Sequence, residues 1–167
     1  MPPGRADMIR TIVGRRPEDG RSIEVIVKDG LIHAIREGRD DEDAWLAPGL
    51  IDLQVNGYGG YDVNLDIPDP EAIISLTRKM LEIGVTTYLP TIITDSEAKM
   101  TAALRAVSEA RRQNRLVADM VPYVHVEGPS ISPADGPRGA HLWNISSLPT
   151  WMSSNAGNLL PKAWLVW

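Results

Sequence analysis

The chain has 167 residues, of which 43% are hydrophobic, a length and composition that suit one ordinary domain with its own core. The formal net charge is -5, with no Lys/Arg cluster dense enough to follow a phosphate backbone, which argues against nucleic acid as a partner and for a small-molecule function. Cysteine is absent, so disulfides and thiolate ligands are excluded, and any metal must be held by Asp, Glu or one of three histidines.

In chain order, Met1 to Arg10 carries no apolar run suited to a signal-peptide core. No stretch approaches the roughly 18 apolar residues of a membrane span, so a soluble cytoplasmic protein without a membrane partner is expected. Residues 11 to 37 read as short strands. Ile23 to Val27, the turn dipeptide Asp29-Gly30 and Leu31 to Ile35 signal a hairpin, and His33 inside it is assigned a structural role. Asp40 to Asp43 is an acidic loop, followed by Pro48-Gly49 and the alternating segment Leu50 to Asn56. There Ile51, Leu53 and Val55 share one face, and Asp52, Gln54 and Asn56 the other.

Gly57, Gly59 and Gly60 form a loop that fits no Walker or dinucleotide spacing. Asp69-Pro70-Glu71 then predicts a helix start, with an N-cap, a proline at the first position and an acid in the first turn. Ile73, Leu76, Met80 and Leu81 supply its apolar stripe, and Gly84 is placed to end it. Val85 to Leu89 reads as a strand, Asp95 to Asn114 as a second amphipathic helix and Val121 to Glu127 as a third strand. Alternating strands and helices imply parallel strands joined by crossovers, the beginning of an α/β sheet or barrel. In such barrels the reactive groups sit at the C-terminal strand ends, which here are Gln54 to Gly60, Thr91, and His125 to Pro129.

On the third strand, the period of two puts His125 and Glu127 on one face about 7 Å apart, suited to a metal ligand beside a substrate-facing group. A satisfied core histidine beside a loop-facing glutamate is the alternative. Gln54 and Asn56 repeat the geometry on the first strand, and as amides they suit orienting a substrate or water better than binding zinc. Two strand-end amides that satisfy nearby backbone would look the same. His141 follows the third strand and could reach over the site as a donor, or be a solvated loop histidine.

Taken together, Ala47-Pro48-Gly49-Leu50-Ile51-Asp52-Leu53-Gln54-Val55-Asn56-Gly57, Gly84-Val85-Thr86-Thr87-Tyr88-Leu89-Pro90-Thr91, His125-Val126-Glu127-Gly128-Pro129 and Gly139-Ala140-His141 resemble the N-acetylglucosamine-6-phosphate deacetylase family of amidohydrolases, in that order and at fitting spacing. Other amidohydrolases continue the first strand into His-x-His, where this one has Gln-x-Asn. The resemblance covers about residues 8 to 141. It implies an α/β protein: the first three strand units of a (β/α)8 TIM-type barrel over 47–141, preceded by a small N-terminal β domain segment over 1–46.

It also implies hydrolysis of an N-acetyl amide to amine plus acetate in amino-sugar catabolism, and homo-oligomeric members. A divalent metal, zinc or iron, would be bound by Glu127 and by two histidines from later strands, with a barrel aspartate as general base. Those histidines and that aspartate have no counterpart in these residues, so no catalytic residue is assigned. Gln54, Asn56 and His141 match substrate-binding positions for an N-acetylated amino-sugar phosphate. Ser130 stands where the family has a large aromatic, and Ala134-Asp135-Gly136-Pro137 is a longer insert, which leaves a related N-acetyl sugar or another amide open as substrate.

From Leu142 to Trp167 the only charged residue is Lys162, while four of the five tryptophans (Trp143, Trp151, Trp164, Trp167) fall in the last 25 residues. Read one base early, with permissive codons, the same stretch becomes charged and helix-like and contains phenylalanine, which the chain otherwise lacks. The expectation is therefore an aberrant tail over 142–167, frameshifted near His141, and a truncated chain that is inactive alone because one ligand of three does not hold zinc tightly. Two other readings remain: an amidohydrolase that opens cyclic amides, against which Gln54 and Asn56 count, and a non-catalytic fragment or interaction protein.

Overall fold

The computed structural model describes residues 9–39, 43–128, 134 and 165–166. The chain divides into two compact units, Met1–Pro48 and Gly49–Trp167. No helix among the described residues is long and apolar enough to cross a membrane.

The first unit holds an antiparallel meander of β1 (Ile9–Arg15), β2 (Ser22–Lys28) and β3 (Leu31–Glu37). Lys28 pairs with Leu31 across a two-residue turn in which Asp29 and Gly30 have φ of 53° and 83°. Two successive positive-φ residues match the twist of the flanking strands, which is why an Asp-Gly pair closes this hairpin. A segment around Trp45 bridges β1 at Arg15. Among its described residues this unit buries no apolar side chain, and Ile12, Ile32 and Ile35 are exposed.

In the second unit, β4 (Leu50–Val55), β7 (Val85–Ile93), β8 (Val124–Glu127) and β9 (Leu165–Val166) form a parallel sheet in the order β4-β7-β8-β9. β5 (Gly57–Tyr58) and β6 (Tyr61–Asp62) form a small hairpin after β4. β9, within the last residues of the chain, adds a strand to the three that the sequence order predicts. Helices α1 (Pro70–Glu82), α2 (Glu97–Gln113) and α3 (Arg115–Met120) connect the strands. The expected start of α1 is found: the Asp69 carboxylate accepts from the Glu71 N–H, and Pro70 is the first helical residue. Gly84, at φ 85°, follows the cap residue Ile83 and turns the chain into β7.

Leu76, Met80, Tyr88, Ile92, Leu104, Val107, Val117 and Val126 belong to one buried cluster between helices and sheet. Within it the Thr77 hydroxyl donates to the Ile73 carbonyl at 2.7 Å, and the Tyr88 hydroxyl lies 2.9 Å from the same threonine oxygen. The threonine has one proton, and Ile73 takes it. Tyr88 is therefore the donor in the second bond, which satisfies both buried hydroxyls.

Several boundaries differ from the sequence reading. β7 runs through Pro90 to Ile93 instead of stopping at Leu89, because proline's φ fits a strand and only one N–H is forfeited. α2 begins at Glu97, with the Ser96 hydroxyl accepting from Lys99 N–H, so Asp95 lies outside it. At Asn114, with φ -129°, the helical path breaks, and the side chain caps α3 by accepting from Leu116 and Val117 N–H. The expected third strand shortens to Val124–Glu127, since Val121 caps α3 by donating its N–H to the Val117 carbonyl and Pro122 and Tyr123 lead from that cap into the strand. Of the apolar face of β4, only Val55 is buried. Ile51 and Leu53 are 66% and 65% exposed on β4, the edge strand of the described sheet, whereas the helices pack against β7.

Candidate functional site at the strand ends

On β8 the alternation is complete: Val124 and Val126 are buried in the core, while His125 and Glu127 are half-buried on the opposite face. Parallel pairing sets Thr91 of β7 beside His125 and Ile93 beside Glu127. The buried Thr91 hydroxyl lies 3.3 Å from its acceptor, the Leu89 carbonyl, and 3.4 Å from His125 Nδ1. When the threonine proton goes to Leu89, its oxygen accepts from Nδ1–H, and the lone pair of His125 then resides on Nε2.

Gln54 and Glu127, 73 residues apart in sequence, meet through a 3.3 Å hydrogen bond from Gln54 Nε2 to Glu127 Oε2. β7 lies between their strands, so the two side chains bridge roughly 10 Å of backbone separation from the same face of the sheet. The amide thereby orients the carboxylate, the role that an amide suits better than direct zinc ligation. The main chain of Glu127 is fastened as well: its carbonyl accepts from the Thr94 hydroxyl at 2.8 Å.

Asn56 lies exposed one residue beyond β4, and its main-chain carbonyl accepts from Val63 N–H at 2.9 Å. The structure thus brings together Gln54, Thr91, His125 and Glu127, with Asn56 at the same end of β4. His141 lies outside the described residues. Thr94 and Asn64 were missed by sequence reasoning. The Asp62-Val63-Asn64 turn was legible as an Asx-type turn, but nothing local shows what Asn64 reaches.

Among the described residues, no three His, Asp or Glu side chains come together as a metal cage. Glu127 and His125 are at most two of the three protein ligands that a catalytic zinc needs, so the described residues do not by themselves fit a tightly held metal. Nearby, Lys99 pairs with Asp95 at 3.0 Å and with Asp66 at 3.1 Å. Burial pushes the Asp95 carboxyl up, but the Ser96 N–H and Lys99 outweigh it and leave it below its ordinary range. The recess lined by Asn64, Ile92, Lys99 and Met100 includes none of Gln54, His125 and Glu127 and is separate from their site.

Parallel strands joined by helices, with polar groups gathered at the strand ends, define an α/β protein with its candidate site where such sheets place their chemistry. No protein-family model matches the chain. It is similar to N-acetylgalactosamine-6-phosphate deacetylase of Shewanella sp. (strain ANA-3), 39% identical over 99 residues that make up 58% of this chain and 23% of that protein. It is similar also to N-acetylglucosamine-6-phosphate deacetylase of Danio rerio, 36% identical over 106 residues, 61% of this chain and 24% of that one. Among solved structures, N-acetylglucosamine-6-phosphate deacetylase from Thermotoga maritima superposes with a TM-score of 0.69 at 26% identity, covering 86% of this chain and 38% of that chain. In sequence and in fold the chain is therefore similar to amino-sugar-phosphate deacetylases, hydrolases of an amide C–N bond, over part of their length. It spans between 23% and 38% of the length of the curated relatives it matches.

Proposed function

We propose that this chain supplies strand ends of a deacetylase site acting on an N-acetylated amino-sugar phosphate, within the first three strand units of a (β/α)8 barrel preceded by a small β domain. The observation that carries the reading is the bond from Gln54 to Glu127, which joins two residues singled out from sequence alone at the C-terminal strand ends. The names of the relatives give the substrate class. In the reaction, water adds to the acetamide carbonyl and the C–N bond breaks, leaving an amine and acetate.

In this reading Glu127 would be one ligand of a divalent metal, zinc or iron, which when bound would supply Lewis acidity. Gln54 holds the carboxylate in position, and Gln54 and Asn56 present amides to the sugar. The remaining ligands and the general base come from outside the described residues. Hydrolysis of an amide that belongs to a cyclic substrate gains no support, since β4 ends in two amides where imidazoles would be needed.

The test is a chimera in which residues 47–128 replace the matching segment of the Thermotoga maritima relative. It is expected to release acetate from N-acetylglucosamine 6-phosphate in the presence of zinc or iron. Glu127→Gln is expected to lower that rate by more than the roughly 10- to 100-fold that loss of a supporting hydrogen bond brings in Gln54→Ala. A folded chimera that leaves the substrate intact would sink the proposal.

A further inference from the structure

The end of β7 has a gap in its ladder. β4 pairs with β7 only as far as Val55 opposite Pro90, after which β4 gives way to the β5-β6 hairpin. Beyond that point, the Thr91 carbonyl and the Ile93 N–H face away from β8 past the last residue of β4, although Thr91 is fully buried. Polar groups orphaned at such a place are costly, because burial removes the water that would otherwise satisfy them. The gap is filled by one side chain. Asn64 Nδ2 donates to the Thr91 carbonyl at 2.9 Å, and Asn64 Oδ1 accepts from the Ile93 N–H at 3.0 Å.

In a parallel ladder, one residue of a neighbouring strand donates to a carbonyl and accepts from the N–H two residues further on. The Asn64 carboxamide reproduces that pattern without a strand. Its own placement is held from three sides. Asn64 N–H donates to Asp62 Oδ1 at 2.7 Å, the preceding Val63 N–H donates to the Asn56 carbonyl at 2.9 Å, and the Val63 side chain is buried in the core.

We propose that Asn64 is a positioning residue for the strand-end site: its carboxamide completes the β7 ladder, and through Thr91 and Ile93 it sets the orientation of the neighbouring His125 and Glu127. The proposal rests on the reading of these strand ends as the functional site, but its geometry does not depend on the substrate. Thr91 carries the contact to His125 Nδ1, and Ile93 stands in register with Glu127. A shift of the β7 end therefore moves both site residues. Asparagine is required because the position needs a donor and an acceptor on one short, planar group. Aspartate keeps the acceptor and loses the donor, and alanine loses both.

The test measures amide hydrogen exchange and histidine ring nitrogen shifts by NMR on the full chain, on Asn64→Ala and on Asn64→Asp. In the unaltered chain, the Ile93 amide is expected to be protected. In Asn64→Ala its exchange rises by at least about tenfold, and the His125 ring resonances move while those of His33, in the other unit, stay in place. In Asn64→Asp, the Ile93 amide stays protected because the carboxylate still accepts, whereas the Thr91 carbonyl loses its donor and His125 moves again. Should Asn64→Ala not fold, Asn64→Asp carries the comparison. Fast exchange of Ile93 in the unaltered chain overturns the proposal, as does an unmoved His125 ring in the folded variants. None of these readouts uses acetate release, so an inactive chimera with an intact clamp would remove the deacetylase reading and leave the role of Asn64 standing.

Discussion

The two units of this chain solve the same problem, covering the polar backbone of a sheet, with very different amounts of core. The sheet of 49–128 is backed by helices, and Leu76, Tyr88, Leu104 and Val117 are all but fully buried against it. The meander of 9–37 has an antiparallel ladder interrupted only by a register shift between Ile26 and Val27, yet it buries no apolar side chain among its described residues, and Ile35 is 59% exposed. A ladder of hydrogen bonds exchanges water partners for protein partners at little net gain, whereas burial of apolar area drives folding. Stability is therefore expected to reside in the second unit, and substitutions in the two should differ accordingly.

The strongest way to break the comparison is Leu76→Ala. The side chain is fully buried at the centre of the cluster, and its loss is expected to destabilise the second unit by about 2–5 kcal/mol in urea unfolding. A loss below ~1 kcal/mol would show that this core is not closely packed.

Alkaline pH probes the same core through Tyr88. Burial pushes its hydroxyl up to about 12, from an ordinary value of 10.0. The proton is held more tightly in the folded state, so the contribution is fully present below pH 10 and is lost as pH rises from about 10 through about 12. Two pH units correspond to about 2 to 3 kcal/mol. Unfolding free energies measured at pH 9 and pH 11.5 should fall accordingly, and Tyr88→Phe should flatten that part of the profile. The substitution leaves Thr77 satisfied by Ile73. An equally steep profile in Tyr88→Phe would assign the effect elsewhere.

At the small end, Ile35→Ser on the meander is expected to change stability by no more than about 0.5 kcal/mol. A loss above about 1.5 kcal/mol would mean that this sheet face is covered in solution, and the contrast between the units would then lie in what covers each rather than in how much each buries.

Much of this was legible in local patterns. The Asp69-Pro70 start and Gly84 stop of α1, the Asp29-Gly30 hairpin and the strand-end faces of Gln54 and of His125 with Glu127 follow from capping, turn chemistry and a period of two. These features depend on residues within a few positions of one another, which is why they can be read without coordinates. The extension of β7 past Pro90 and the break at Asn114 were not legible, because propensity there is overruled by pairing and capping that depend on neighbours. Nor did the alternation in β4 disclose that Ile51 and Leu53 lie on an edge strand.

By itself, the sequence determined the alternation of β4, α1, β7, α2 and β8, though not β5, β6, α3 or β9, together with the polar character of the strand ends and the likeness to the deacetylases. Only the tertiary structure decided that the Gln54 amide crosses β7 to reach Glu127, and that the Asn64 amide stands in for a missing strand at Thr91 and Ile93. Those contacts join residues 27 to 73 positions apart, and such distances close only when the core beneath them has packed.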